Sequence, residues 1–433
     1  MTYREAIEFL FTTLPMYQRQ GKAAYKSNLD NTLRLDTWFG HPHRNYPTIH
    51  VAGTNGKGSV SHMLASVLQA SGFKTGLYTS PHLLDFRERI RINGQPIPED
   101  EVTGFVTGNQ EVIKEVQPSF FEMTVAMAFD YFAREQVDVA VIETGLGGRL
   151  DSTNIITPVL SVITNISLDH TEFLGTQPTS IAREKGGIIK EKVPLVIGRA
   201  EAPTDKVLLS IARERDAAVV CANQIYEPRF RTLNRDGSMQ LRIGKPGDPS
   251  TRTVSCDLTG EYQQENIITA FTALEQLQKL NWKISETQIQ DGFASVIGST
   301  GITGRWQTIG HNPRSICDTA HNADGITAVI RQIMQIPWKR LHMVWGMVSD
   351  KDLDSVLPLL PQEATYYFAR SSVPRSMDPA GLTERATEHG LTGIPFPNVE
   401  EAYRAAQKEA GADDMIFTGG STFVVADLLV MKF

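Results

Sequence analysis

The sequence predicts an α/β protein with two domains, each built on a mostly parallel sheet. Three observations carry this expectation. Short runs rich in Val, Ile and Leu alternate with segments of helical character, the pattern of strands covered by helices on both faces. One such run, at residues 49–52, breaks into Gly53-Thr-Asn-Gly-Lys-Gly-Ser59 and leads into a helix-like segment. The chain of 433 residues is also too long for one ordinary core.

The chain opens with an amphipathic helical pattern at residues 1–11. Strands are expected at 48–52, 74–79, 137–143, 160–165 and 194–198, with helices at 59–70, 121–136 and 180–189 between them. Residues 219–258 change character, and Asn234-Arg-Asp-Gly237 marks a hairpin, so this stretch reads as a small antiparallel excursion. A helix follows over 262–280. The glycine- and hydroxyl-rich stretch 297–305 reads as a linker, which puts a domain boundary at 298 and gives domains of 1–298 and 299–433. Strands at 315–318, 340–345, 364–368 and 415–418 then form a second parallel sheet.

The loop after the first strand has the composition of a phosphate cradle. Gly53, Gly56 and Gly58 permit backbone conformations that turn successive N–H groups inward, and Lys57 adds a mobile positive charge. The following helix points its N-terminus at the bound anion. Nucleotide loops commonly carry Ser or Thr directly after the lysine; here Gly58 stands there and Ser59 comes one place later. A metal ion would therefore draw ligands from elsewhere.

Such ligands are expected at the carboxyl ends of neighbouring strands, where function on parallel sheets concentrates. Ser80, Glu143 and His170 each follow an expected strand and offer a hydroxyl, a carboxylate and an imidazole to a divalent cation. On residue type alone Ser80 reads equally as a turn residue before proline, and His170 as a loop histidine bonded to its neighbours. Lys185 reads as a helix-end cation unless it faces phosphate or is modified. In the second domain Asp318 could take hydrogen bonds from a ribose and His321 could touch phosphate, or the segment 318–322 is an Asx-rich turn. Arg305, just past the linker, either reaches back toward a nucleotide or lies on the surface.

Bulk properties exclude other classes. A net charge of -7, from 42 basic and 49 acidic residues without a long run of either sign, argues against nucleic acid as the main partner. Cys221, Cys256 and Cys317 are too few and too scattered for a disulfide framework, which fits a reducing cytoplasm. No stretch approaches the ~20 apolar residues of a membrane span, and no signal-peptide pattern opens the chain, so a cytoplasmic protein without a membrane partner is expected.

Six segments in order resemble the dihydrofolate synthase and folylpolyglutamate synthase group of the Mur ligase superfamily. They are Gly53-Thr-Asn-Gly-Lys-Gly-Ser59, Tyr78-Thr-Ser-Pro-His-Leu83, Glu143-Thr-Gly-Leu-Gly-Gly-Arg-Leu-Asp151, Leu168-Asp-His-Thr171, Arg183-Glu-Lys-Gly186 and Asp318-Thr-Ala-His-Asn322. The resemblance runs from about residue 20 to the C-terminus. It implies a phosphate-loop domain of the Mur ligase central type and a smaller Rossmann-like glutamate-ligase domain, with the active site in the cleft between them. The implied reaction is amide formation: ATP, with Mg2+, phosphorylates a carboxylate of dihydropteroate or of a folate's terminal glutamate, and L-glutamate displaces the phosphate. That chemistry belongs to folate biosynthesis and one-carbon metabolism.

By the same resemblance Thr54, Asn55, Gly56, Lys57, Gly58 and Ser59 hold the ATP phosphates, while Asn266, Arg305, Asp318 and His321 complete the nucleotide site. Ser80, Glu143 and His170 ligate magnesium, a carbamylated Lys185 becomes a carboxylate able to bind a second magnesium, and Lys57, His170 and Lys185 take part in catalysis. Pterin or folate contacts fall to Lys26, Ser27, Asn28, Ser119, Phe120, Phe121, Glu122, Leu150, Asp151 and Ser152. The chain departs from the family pattern at Thr319 and Ala323, where Gly and Pro are common, and at Tyr262-Gln263, where His-Gln is usual. It also lacks an early Leu-Gly-Leu. With no long apolar helix face, a monomer is expected.

Two rival readings remain at this level. A cell-wall ligase acting on a UDP-sugar peptide would usually carry Gly-Lys-Thr in the loop and a UDP-binding domain, for which the roughly 48 residues before the loop are too few. A nucleotide-binding regulator without ligase chemistry would keep the cradle but need neither the metal ligands nor Asp318 and His321.

Overall fold

In a computed structural model that describes residues 1–16, 28–234, 237–349 and 351–431, the apolar run before the glycine loop is strand β1 (Thr48–Ala52), buried at all five positions. Among the described residues it is one of the eight strands of a sheet in the first unit, Met1–Thr259 with Gln263–Ile302. These are β1, β2 (Thr75–Tyr78), β3 (Ile90–Ile92), β4 (Gln95–Pro96), β5 (Val139–Glu143), β6 (Leu160–Ile163), β7 (Leu195–Ile197) and β8 (Val219–Cys221). Their order in space is β4-β3-β2-β5-β1-β6-β7-β8, parallel except for the antiparallel edge pair β3 and β4. Thus β1 lies between β5 and β6, with Val51 paired to both Glu143 and Val162.

Alternation along the strands divides the core into two faces. Val139 and Val141 of β5 join a cluster with Val60, Met63, Leu64 and Val67 of the helix Lys57–Ala70 and with Ile267, Phe271 and Leu274 of the helix Gln263–Lys279. Ala140 and Ile142 point the other way, into a cluster with Met123, Met127 and Phe129 of the helix Phe120–Arg134 and Leu10 of the helix Tyr3–Thr13. Each fully buried side chain of this size contributes about 1.5–3 kcal/mol, which sets the register of every strand. A further cluster, with Ile163, Ile197, Ile188 and Leu208, seats the helices Pro178–Gly186 and Thr204–Glu214.

The antiparallel excursion is narrower than expected. Residues 219–221 extend the parallel sheet as β8, paired with β7, because their apolar pair continues its hydrogen-bond ladder. The three-stranded antiparallel sheet is confined to β9 (Glu227–Leu233), β10 (Met239–Gly244) and β11 (Arg252–Cys256), in the order β11-β10-β9. Met239, Leu241 and Ile243 on alternate positions of β10 pack into the core shared with the Lys57–Ala70 helix.

The glycine- and hydroxyl-rich stretch is also partly helical. Residues Val296–Thr300 form a short helix that ends at Gly301 in the left-handed region. The hydroxyls that suggested a linker are used for packing. Thr300 Oγ1 pairs with His62 Nδ1 at 2.8 Å, and Ser299 Oγ with Ser66 Oγ at 2.7 Å.

The second unit comprises Thr303–Phe433 with the short segment Gly260–Tyr262. Its six strands among the described residues are β12 (Gln307–His311), β13 (Arg314–Cys317), β14 (Leu341–Trp345), β15 (Thr365–Ala369), β16 (Thr392–Phe396) and β17 (Met415–Gly419). They run in the order β12-β13-β17-β14-β15-β16, parallel apart from β12. One face is covered by Ile326, Val329 and Leu382 from the helices Ala323–Gln335 and Pro379–Glu388. The other carries Ala402, Tyr403, Val424 and Leu428 from Val399–Glu409 and Thr422–Val430. Among the described residues no helix is long and apolar enough to cross a membrane, and the three cysteines are free thiols.

Candidate active site

The strand order brings the chemistry together. Because β2, β5, β1 and β6 are neighbours in that order, Ser80, Glu143, the glycine loop and Asn165 all emerge at one edge of the sheet. The loop itself is strained in the way its glycines predict. Gly53 has φ of 150° and Gly56 of 84°, the latter capping the helix Lys57–Ala70. A Cβ at Gly53 would meet Thr164 Oγ1 at 1.9 Å, so no larger residue fits.

The segment after β6 grips this loop. Thr54 N–H donates to the Asn165 carbonyl at 2.9 Å and Asn55 N–H to Asn165 Oδ1 at 2.9 Å, while Thr164 Oγ1 donates to the Asn55 carbonyl at 2.6 Å. Thr54 Oγ1 both donates to the Ser167 carbonyl and accepts from Ser167 N–H, each at 3.0 Å. Thr54 and Asn55 are thus largely occupied in shaping the cradle. Lys57 Nζ lies over it, donating to the carbonyls of Gly53 and Thr54 at 3.1 Å each. The helix's first N–H groups, which have no intrahelical acceptors, begin at the same place as Lys57 and Gly58.

Ser59 is tied to the helix Gln263–Lys279. It is buried, and its hydroxyl accepts a hydrogen bond from Gln263 Nε2 at 3.1 Å. Gln263 also accepts from Asn266 Nδ2 at 2.7 Å, and Asn266 packs against Gly56. The sequence marks Gln263 only as part of the Tyr262-Gln263 pair that stands where His-Gln is usual, and gives it no role; Asn165 was given none either, although its place just beyond an apolar strand was available as a cue.

Ser80 and Glu143 are in contact. The Ser80 main-chain N–H donates to Glu143 Oε2 at 3.0 Å, and the carboxylate is buried, with only 3% of the residue exposed. His170 begins the short helix Thr171–Leu174 with φ of 49°; its N–H donates to Asp169 Oδ1 at 2.8 Å and its Nε2 lies 3.9 Å from Asp169 Oδ2. Among the described residues no three His, Cys, Asp or Glu side chains converge to hold a metal by themselves. The hard donors here, a buried carboxylate beside a serine, suit magnesium provided that hydroxyl, carbamate or phosphate oxygens complete the shell.

Lys185 is the most perturbed cation near the loop. It is buried at the end of the helix Pro178–Gly186, and its Nζ donates to the Gly53 carbonyl at 2.6 Å. Desolvation first, and the nearby Lys57 charge second, push its pKa down to about 7. The backbone of the 143–151 loop reaches this lysine because Gly148 and Gly187 leave room: a Cβ on Gly148 would lie 2.9 Å from the Lys185 carbonyl, and one on Gly187 would lie 2.3 Å from Arg149 Cα.

The expected pterin and folate residues divide into groups. Lys26 and Ser27 lie outside the described residues, and Asn28 is exposed and accepts from Asp30 N–H at 3.3 Å ahead of the helix Asp30–Trp38. Ser119 and Glu122 form a capping box, with Ser119 Oγ accepting from Glu122 N–H at 3.2 Å and Glu122 Oε2 from Ser119 N–H at 2.6 Å. Phe120 is core, packed on Phe11 and beneath the Arg89 guanidinium. Phe121 is half-buried, with its ring against Gly145.

Asp151 is buried, accepting from Gly145 N–H and Leu146 N–H at 2.8 Å each and from Thr153 N–H and Oγ1 at 3.0 and 2.6 Å. Desolvation nevertheless raises its pKa. Its visible work is to hold the 143–151 loop in shape. Ser152 is buried in the turn that follows, and Leu150 is partly exposed beside it.

In the second unit Asp318 follows β13 directly and is buried. Its Oδ2 accepts from the Tyr262 hydroxyl at 2.5 Å and Trp306 N–H at 2.7 Å, and its Oδ1 from Ala320 N–H at 2.8 Å. Burial raises its pKa, opposed by the Tyr262 bond and the nearby Arg305 charge. His321 Nδ1 lies 3.0 Å from the Thr319 carbonyl, and Asn322 caps the helix Ala323–Gln335 by accepting from Gly325 N–H at 2.9 Å. The Asx-turn reading of 318–322 therefore describes its local structure.

The chain matches the Mur ligase middle domain over residues 51–274 and the Mur ligase glutamate ligase domain over 304–422. It is 34% identical over 381 residues to the dihydrofolate synthase/folylpolyglutamate synthase of Escherichia coli K12, covering 88% of this chain and 85% of that one. It is 33% identical over 440 residues to a probable bifunctional folylpolyglutamate synthase/dihydropteroate synthase of Haloferax volcanii; that match takes in 99% of this chain but spans half the length of the relative. Among solved structures, Escherichia coli FolC in complex with DHPP and ADP superposes with a TM-score of 0.85 at 29% identity, covering 100% of this chain and 97% of the other. A bifunctional folylpolyglutamate synthase/dihydrofolate synthase with Mn, AMPPNP and L-glutamate bound gives 0.83 at 26%, covering 100% of this chain and 98% of the other. With both domain matches in order along a phosphate-loop sheet and a second parallel sheet, this chain belongs to the dihydrofolate synthase/folylpolyglutamate synthase family of Mur ligases, ATP-dependent ligases that use a divalent metal ion.

Proposed function

We propose that this chain joins L-glutamate to dihydropteroate and to the terminal glutamate of folates, with ATP consumed through an acyl phosphate. The observation that carries the reading is the convergence at the ends of β1, β2, β5 and β6: a glycine loop with Lys57 over it, a buried Glu143 bonded to Ser80, and a buried Lys185 at Gly53. A carboxylate is a poor electrophile until one oxygen becomes a phosphate leaving group. Its oxygen attacks the γ-phosphorus and ADP leaves; the amine of glutamate then attacks the acyl carbon, phosphate leaves, and a proton is lost from nitrogen.

In this scheme the loop N–H groups and Lys57 hold the phosphates and stabilise charge on the transferring group. Ser80, Glu143 and His170 hold Mg2+, with Lys185 as a carbamate. The metal supplies further charge neutralisation at the phosphates. Support for the carbamate comes from the lysine's depressed pKa, which leaves much of the amine neutral and nucleophilic toward CO2 near pH 7; one N–C bond forms and one proton is released. Asn266, Arg305, Asp318 and His321 complete the nucleotide site, and the pterin contacts are Phe121, Leu150, Ser152 and Asn28, with Lys26 and Ser27, which lie outside the described residues, as sequence candidates. The reading places the enzyme in the cytoplasm as a monomer, with no nucleic-acid or membrane partner.

The test is ADP release in a coupled assay, with dihydropteroate and tetrahydrofolate compared under identical ATP and glutamate. Glutamate-dependent release with each acceptor is expected. Stimulation by one acceptor alone would restrict the enzyme to one activity, and none by either would overturn the reading.

A further inference from the structure

The displaced serine of the phosphate loop belongs to a buried relay. Gln263 Nε2 donates to Ser59 Oγ at 3.1 Å, and Gln263 Oε1 accepts from Asn266 Nδ2 at 2.7 Å. Ser59, Gln263 and Asn266 are 2%, 0% and 6% exposed. The relay ends on the loop: Asn266 Oδ1 stands where a side chain on Gly56 would be, 2.2 Å from an ideal Cβ, and Gly56 holds φ of 84°.

We propose that Gln263 is a positioning residue for the nucleotide, holding the Asn266 amide against Gly56 so that the phosphate loop keeps its binding conformation. The proposal rests on ATP being the substrate. Its physical basis is that an amide flanked by a serine hydroxyl and a second amide cannot turn alone. A flip of Gln263 by itself sets NH2 against NH2 at Asn266, leaving buried donors unpaired. The serine that other loops place directly after the lysine is thereby reused. Its hydroxyl fixes one end of the relay, and the helix Gln263–Lys279 is tied to the helix Lys57–Ala70 at the phosphate end.

The test is equilibrium binding of MgADP to the full chain, with ATP kinetics alongside. Gln263→Met is expected to weaken MgADP by roughly tenfold and to raise KM for ATP by a similar factor, with kcat at saturating ATP changed by less than about threefold. Ser59→Ala should weaken binding less, and the double variant should be no worse than Gln263→Met, because both cut the same relay.

Gln263→Glu provides a variant of the same shape. Buried and protonated, it reproduces the glutamine's donor and acceptor pattern; ionised, it sets a negative charge beside the phosphate loop. Its MgADP affinity should therefore approach that of the wild type at pH 6 and fall at pH 8.5 more steeply than the wild type does. Unchanged binding by Gln263→Met, or additive effects of Ser59→Ala and Gln263→Met, would overturn the proposal while leaving ATP use intact. Failure of the unmodified chain to bind MgADP would remove the ATP reading, and the proposal with it.

Discussion

Lys185 shows how burial alone can prepare a residue for an unusual role. An ordinary lysine at a helix end is charged and solvated; this one is enclosed, bonded to the Gly53 carbonyl and close to the Lys57 charge. Lys185→Ala should lose most ligase activity and recover part of it in short-chain carboxylic acids, which supply the carboxylate that a carbamate would provide. Equal activity of variant and wild type in the coupled assay would remove that role. The depressed pKa also has a stability consequence with a definite sign. Between pH 7 and the unfolded value of 10.5, the unfolded chain binds the extra proton, so this group makes stability rise with pH. In CO2-free buffer, denaturant unfolding of Lys185→Met should show a shallower rise across that window than wild type. At Glu143, substitution by Gln keeps the shape but removes the charge; turnover should drop by about 100-fold or more while MgADP still binds, as rapid-quench and binding measurements would reveal. A nucleotide-binding regulator would have no turnover to lose.

At the level of elements, the second-unit motif shows how a recognisable sequence can serve local structure first. Asp318 holds the turn through Ala320 and Trp306, and Asn322 caps the helix Ala323–Gln335. Asn322→Ala should cost about 1 kcal/mol, measured by denaturant unfolding, because one of the helix's first N–H groups loses its acceptor. The departures from the common family pattern at Thr319 and Ala323 leave this cap in place. The expected helix over 121–136 likewise begins one residue earlier, because Ser119 and Glu122 form a capping box that the spacing S-x-x-E already encodes. The partly helical 297–305 stretch was less legible. Its serine and threonine look like linker chemistry until Ser66 and His62 on a distant helix are found as their partners.

At the scale of the whole molecule, the two units each enclose their own cores, yet the chain passes through the second unit at Gly260–Tyr262 before it forms the first unit's Gln263–Lys279 helix. Tyr262 is therefore the residue whose loss should be felt in the second unit although most of that unit lies 40 or more residues later in sequence. Tyr262→Phe removes the hydroxyl bonded to Asp318 and leaves a buried carboxyl with fewer partners. It should lower stability by about 1–3 kcal/mol, seen as a downward shift of the thermal transition followed by tryptophan fluorescence, to which Trp306 and Trp345 in the second unit's core contribute.

The sequence by itself determined the strand-and-helix alternation, the glycine loop and the order of motifs, because these are local: apolar runs of strand length, glycines where only glycine fits, and capping residues at helix starts act through near neighbours in the chain. Only the tertiary structure decided which strand ends meet. Placing β1 between β5 and β6 brings Glu143 and Asn165 to opposite sides of the loop, and no local signal encodes that order. It also decided that Ser59 serves Gln263, that Asp151 holds its own loop and that Lys185 is enclosed. Burial and hydrogen-bond direction are properties of the assembled environment, and the same residue types are solvated and uncommitted until distant segments of the chain surround them.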